Sequence, residues 1–108
     1  MNCCVIALPR FSELGQKIAE AMDADLLPYE EGIFTTAFAD YEGIIAVMSA
    51  GIAVRSAASL LTDKWHDPGI VVVTPDGKYA IPILGGHHGA NDLACRLAEI
   101  GIIPVIST

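Results

Sequence analysis

The chain has 108 residues, 53% hydrophobic and 18% charged, with a formal net charge of −7 from 13 acidic and six basic residues. That length fits one domain with its own core, and the apolar fraction excludes a disordered acidic tail. The few Lys and Arg are scattered and form no basic stripe, so no nucleic-acid partner is expected.

No apolar run reaches the roughly 18–20 residues of a spanning helix. Met1-Asn2-Cys3-Cys4 lacks the basic start of a secretion signal. A cytoplasmic protein with no membrane partner is therefore expected. Three cysteines, an odd count, argue against a disulfide framework. Cys3, Cys4 and Cys95 read as reduced packing residues, the alternative being thiolate chemistry at the adjacent pair.

Cys3 to Leu8 is an apolar run, as in a strand buried on both faces, and Pro9 ends it. Ser12 stands at a predicted N-cap, with Leu14, Ile18, Ala19 and Met22 at helical spacing up to Asp23. Ala24 to Tyr29 reads as a weaker strand cut short by Pro28, and Ile33 to Tyr41 as a short helix. Gly43 to Met48 is a buried strand running into Ser49, a capping residue, and a helix ending near Leu60 or Leu61.

Thr62 to Gly69 is a polar connection that carries the only tryptophan, Trp65. Ile70 to Thr74 and Tyr79 to Leu84, joined by Pro75-Asp76-Gly77-Lys78, predict an antiparallel hairpin. Pro82 cannot donate to a ladder, so the second arm should be an edge or bulged strand. A helix from Asn91 to Ile100, a stop at Gly101 and a strand from Ile102 to Ile106 close the chain. Together these predict a single three-layer α/β sandwich over residues 1–108, its sheet mostly parallel with one antiparallel hairpin arm. The turns at Ser49–Gly51 and Gly85–Asn91 are expected side by side at the carboxyl edge, where such sheets bind ligands.

In the first turn Gly51 permits close backbone approach, the helix start offers N–H donors, and Arg55 lies one turn on. That set suits a carboxylate or phosphate; the structural alternative is a relieved tight turn and a solvated charge. In the second turn His87 or His88 can exchange protons, an ordinary imidazole titrating near ~6.5. Asn91 can cap its helix or bind a substrate, or the whole turn can be structural. A metal set from His66, His87, His88 and Asp92 lacks any established ligand spacing, so no metal site is expected. No nucleotide-binding glycine motif or Gly-x-Ser-x-Gly elbow is present.

Several runs occur in a specific order. They are Val47-Met48-Ser49-Ala50-Gly51-Ile52-Ala53-Val54-Arg55, Asp63-Lys64 with Asp67-Pro68, Val71-Val72-Val73 with Gly77, Gly86-His87 with Gly89-Ala90-Asn91-Asp92-Leu93-Ala94, and Pro104-Val105-Ile106-Ser107-Thr108. This order resembles the amino-terminal region of the CbiG family, cobalt-precorrin-5A hydrolases of anaerobic cobalamin biosynthesis.

The resemblance implies opening of a ring-fused δ-lactone on a cobalt corrinoid intermediate, with loss of a two-carbon fragment as acetaldehyde. On that reading His87 is catalytic, while Ser49, Gly51, Arg55, Gly86, His88, Gly89 and Asn91 bind the substrate. Cobalt arrives within the substrate, and the protein needs no cofactor of its own. Family members continue into a carboxyl-terminal domain. A separate carboxyl-terminal-type chain is thus an expected partner, and this domain is either the hydrolase or its substrate-binding component. The alternatives are a non-catalytic assembly module and a binding domain for another small anion. A homodimer is also compatible.

Overall fold

In the computed structural model, which describes all 108 residues, the first apolar run forms β1 (Cys3–Ala7), buried throughout. Pro9 ends it through a 3₁₀ turn, and α1 (Ser12–Met22) begins at Ser12. Ser12 is thus the first helical residue and not the cap; Phe11 holds the capping position without a side-chain bond. After β2 (Asp25–Pro28) comes α2 (Ile33–Asp40), then β3 (Gly43–Val47) and α3 (Ala50–Ala58). Ser49 caps α3, its side chain accepting from the N–H of Ile52 at 3.5 Å.

β4 (Gly69–Val73) and β5 (Tyr79–Leu84) form the predicted hairpin. Its turn is held from within. Thr74 Oγ1 donates to Asp76 Oδ1 at 2.6 Å, the same carboxylate accepts from the Lys78 N–H at 3.0 Å, and Gly77 takes a positive φ of 73°. The predicted final helix tightens from α4 (Ala90–Arg96) into a 3₁₀ turn before Gly101. The last strand shrinks to β6 (Ile103–Pro104), which bonds to the hairpin arm through the Ile103 N–H to the Lys78 carbonyl and the Val105 N–H to the Ala80 carbonyl, so the absent Pro104 donor falls on its outer side.

The sheet order is β2-β1-β3-β4-β5-β6, parallel at every pairing except β4 with β5. Pairing alone does not keep β5 at the edge. It lies between β4 and β6 and carries a bulge next to Pro82, because Ile70 opposes Leu84 while Val71 opposes Pro82. β6 pairs only with Tyr79 and Ala80, so Pro82 still faces no strand on its outer side.

Period-2 alternation divides the central strands between two cores. Val5, Ile45, Val71 and Val73 pack under α1 and α4 with Ile18, Leu93 and Leu97. Cys4, Ile44, Ile70 and Val72 pack under α2 and α3 with Phe34, Ala53 and Ala57. These are the three layers. Each fully buried Ile or Leu contributes roughly 1.5–3 kcal/mol, which is why β-branched runs at these positions specify the sheet. No helix is long and apolar enough to cross a membrane.

Candidate functional site

The reversal of β5 decides where its following loop goes. β3 and β4 run side by side from the pair Gly43 and Gly69 to the pair Val47 and Val73. Ser49 follows β3 beyond Val47, at what we term the upper edge. β5 runs the other way and ends with Leu84 beside Ile70, at the start of β4. Gly85 to Asn91 therefore leaves from the lower edge, where a Cβ on Gly85 would meet the Gly69 Cα at 3.0 Å. Two loops expected side by side lie on opposite edges, roughly 13 Å apart at ~3.3 Å per residue of β3. The correction follows from the hairpin itself, since an antiparallel arm returns its carboxyl end to the amino edge of its neighbours.

At the upper edge Gly51 is exposed with open space around it, as close approach of a ligand would require. Arg55 lines a groove of about 470 Å³ between α2 and α3 with Tyr29, Thr35, Ser56 and Ser59. Glu30 and Glu31 line the same groove. Arg55 makes no ion pair with either. One guanidinium against two carboxylates leaves this groove without a net positive field for an anion.

At the lower edge the loop is a 3₁₀ turn, Gly86–His88, between Gly85 (φ 67°) and Gly89 (φ 110°), both in the left-handed region that favours glycine. His87 and His88 are exposed. Gly89 takes the N-cap position of α4, so Asn91 lies two residues too late to cap it. Asn91 instead donates through Nδ2 to Thr108 Oγ1 at 2.7 Å, and its Oδ1 is buried without a partner beside Gly86. Asn91 thus braces the loop against the last residue of the chain.

The same edge gathers residues that spacing did not single out. Trp65, 71% exposed, meets His88 edge to face with ring centroids 4.6 Å apart. Both line a cleft of about 350 Å³ with Met1, Phe38, Tyr41 and His66. Asp63 folds the connection around itself, accepting from the backbone N–H of Trp65 and His66 and pairing with His66 Nδ1 at 2.8 Å. That imidazole bond, helped by the two backbone donors, holds the Asp63 carboxyl below its ordinary range. The signals were an Asp-x-x-His spacing inside a turn bounded by Pro-Gly, and a lone tryptophan among polar neighbours. Ser56 on α3 and Ser59 at its C-terminal cap were likewise legible, one and four residues after Arg55.

His66, His87, His88 and Asp92 do not converge as a ligand set. Thiolate chemistry at Cys3-Cys4 meets a physical obstacle. Both side chains are buried, burial pushes the Cys4 thiol up to about 12, and it raises Cys3 as well. Cys95 alone is exposed.

Residues 32–108 match the family described as cobalamin synthesis G N-terminal. A cobalt-precorrin-5A hydrolase from Salmonella typhimurium is 41% identical over 87 residues, which cover 76% of this chain and 25% of that protein. One from Priestia megaterium is 41% identical over 73 residues, covering 66% and 20% respectively. A crystal structure of a cobalamin biosynthesis protein G homolog from Sulfolobus solfataricus superposes with a TM-score of 0.89 at 29% identity, over 98% of this chain and 36% of that one. The chain thus spans a quarter or less of the curated relatives it matches. With the ordered motifs, the sheet and this family match all agreeing, the chain belongs to the cobalamin synthesis G amino-terminal family.

Proposed function

We propose that this domain serves cobalamin biosynthesis as the substrate-binding component of a cobalt-precorrin-5A hydrolase, completed by a carboxyl-terminal-type chain or segment. The observation that carries the reading is the separation of His87 from Arg55 on opposite edges of the sheet in a member of this family. Opening a lactone needs three things at one carbonyl: a base for the attacking water, donors for the tetrahedral oxyanion, and an acid for the leaving oxygen. The lower edge gathers His66, His87 and His88 for proton transfer, with Lys64 over the Trp65 ring, while Arg55 stands on the opposite edge, and we assign the remaining oxyanion donors to the completing chain or segment.

The lower edge suits a flat macrocycle better than the upper one. The difference is aromatic and not one of charge: Trp65 and His88 offer stacking surface with the His66 imidazole in the same cleft, and Asp40, Glu42 and Asp67 line that cleft as Glu30 and Glu31 line the α2–α3 groove beside Arg55. His87 is the candidate proton carrier there. Gly86, His88 and Gly89 shape the same loop, and Asn91 positions it. Ser49, Gly51 and Arg55 remain for a peripheral carboxylate or for the completing partner.

The test is anaerobic incubation with cobalt-precorrin-5A, following the visible spectrum and acetaldehyde. The domain alone should shift the spectrum without releasing acetaldehyde, and turnover should appear when the carboxyl-terminal portion of the Salmonella relative is supplied. His87→Ala should then lose about 10²–10⁴-fold in rate while still binding. Trp65→Ala should bind roughly tenfold more weakly, a stacking contact being worth about 1 kcal/mol or more. Absence of binding in every combination, or acetaldehyde release by the domain alone, overturns the component reading.

A further inference from the structure

The two faces of the sheet are covered unequally. α4 packs on β4, β5 and β6, and α1 covers β1 and β2, so one face is roofed from end to end. On the other face α2 and α3 sit over the central strands, and only the rim of α3 reaches β5. Pairing fixes which residues this leaves bare, because partners in a ladder share a face. Ile81 opposes Val72 of the α2–α3 core, and Ala80 belongs to the other core, so Tyr79 and Ile81 point to the α2–α3 side. Ile103 opposes Tyr79 and points with it.

Tyr79, Ile103 and Val105, with Val54 of α3 and Leu61 just beyond its end, are 41–56% exposed. They make up five of the eight exposed large apolar side chains. The exposure is therefore a patch and not a scatter. Beside it lies a hollow of about 100 Å³ lined wholly by apolar residues, Val54, Ala57, Ala58, Leu61, Ile83 and Leu84. No charged residue occurs from Tyr79 to Gly86 or from Gly101 to Thr108. A surface without charge selects an apolar protein partner. Pro82 removes a donor from the outer side of β5, which disfavours addition of a strand and leaves the face as the contact.

We infer that this bare face of β5 and β6 is where the carboxyl-terminal body of a cobalt-precorrin-5A hydrolase docks, whether that body is continuous or a separate chain. The inference rests on the component reading above. The matched family is that of an amino-terminal domain, and the curated relatives carry three quarters or more of their length outside the matched segment. A larger body thus accompanies this domain in the relatives, and this patch is the concentrated apolar surface available to it. Docking here also sets the partner beside the Gly85 loop, since the hollow ends at Leu84.

The remainder of the Salmonella relative is joined after Thr108, and amide hydrogen exchange is compared between the fusion and the 108-residue chain alone. Exchange should slow by about tenfold or more at Ile81, Ile83, Ile103 and Val105 in the fusion, since a docked interface resists local opening. Ile103→Glu combined with Val54→Glu should restore the free-chain rates, while Lys17→Glu on α1 should not. Sedimentation of the chain alone should give a monomer. Unchanged exchange at these amides overturns the inference. So does a dimer of the isolated chain that Ile103→Glu dissolves, which would assign the face to a second copy. Acetaldehyde release is read separately: protection without turnover removes the component reading and keeps the interface, and turnover without protection does the reverse.

Discussion

The two edges of the sheet carry the same local grammar and opposite mechanics. Each has an apolar strand, a small-residue turn and a helix, yet the upper turn is relaxed and the lower one is forced. Ser49 caps α3 through its side chain, and Gly51 already lies inside that helix with nothing near it. Gly85 and Gly89 hold left-handed backbone, and Gly85 lies against the Gly69 backbone. Glycine is thus optional above and required below. A required glycine marks a loop whose shape is fixed before any ligand arrives, which is what positioning His87 and His88 calls for.

The largest expected effect sharpens that contrast. Gly85→Ala should lose about 2–4 kcal/mol in urea unfolding, combining left-handed strain with overpacking against Gly69. A loss under about 1 kcal/mol would show that the lower loop relaxes as freely as the upper. At the upper edge Ser49→Ala should cost about 0.5–1 kcal/mol, toward the low end because its cap bond is long at 3.5 Å. Gly51→Ala should go the other way, stabilising by about 0.5–1 kcal/mol as expected for an unstrained helical glycine. Destabilisation there would erase the distinction between the edges.

The smallest effect is electrostatic and confined to the lower edge. Asp63 has a folded value below its ordinary 3.8 because His66 and two backbone N–H groups favour the carboxylate. A depressed carboxyl contributes its stabilisation above the ordinary carboxylate range and loses it as pH falls through the folded value. Carboxyl titration by NMR should place Asp63 below 3.8. Trp65 fluorescence should change over that same acid window and become insensitive to it in Asp63→Asn. An ordinary titration would mean the Asp63 brace is not formed in solution.

Much of this protein was legible in its residues. β-branched runs bounded by Pro and Gly located the strands, Ser49 marked a true cap, Gly101 a true stop, and Asp76-Gly77 the hairpin turn. Two of the misreadings are local too. Ser12 reads as a cap because a 3₁₀ turn after Pro9 is invisible to helical periodicity, and of the two roles open to Asn91 capping fails because Gly89 assumes that position itself. Ordered motifs carried the family, since their spacing along the chain survives without coordinates.

What the sequence by itself determined is therefore whatever depends on neighbours a few residues apart: the elements, the hairpin, the glycine conformations and the family signature. The tertiary structure decided what depends on contacts tens of residues apart. It set β5 beside β4 with its carboxyl end at the lower edge, parted His87 from Arg55, and brought Trp65 onto His88. It also left β5 and β6 bare on one face. The physical reason is that side-chain periodicity reports which face of an element is buried and nothing about the neighbour that buries it. One antiparallel pairing then inverts the position of every residue that follows in that arm.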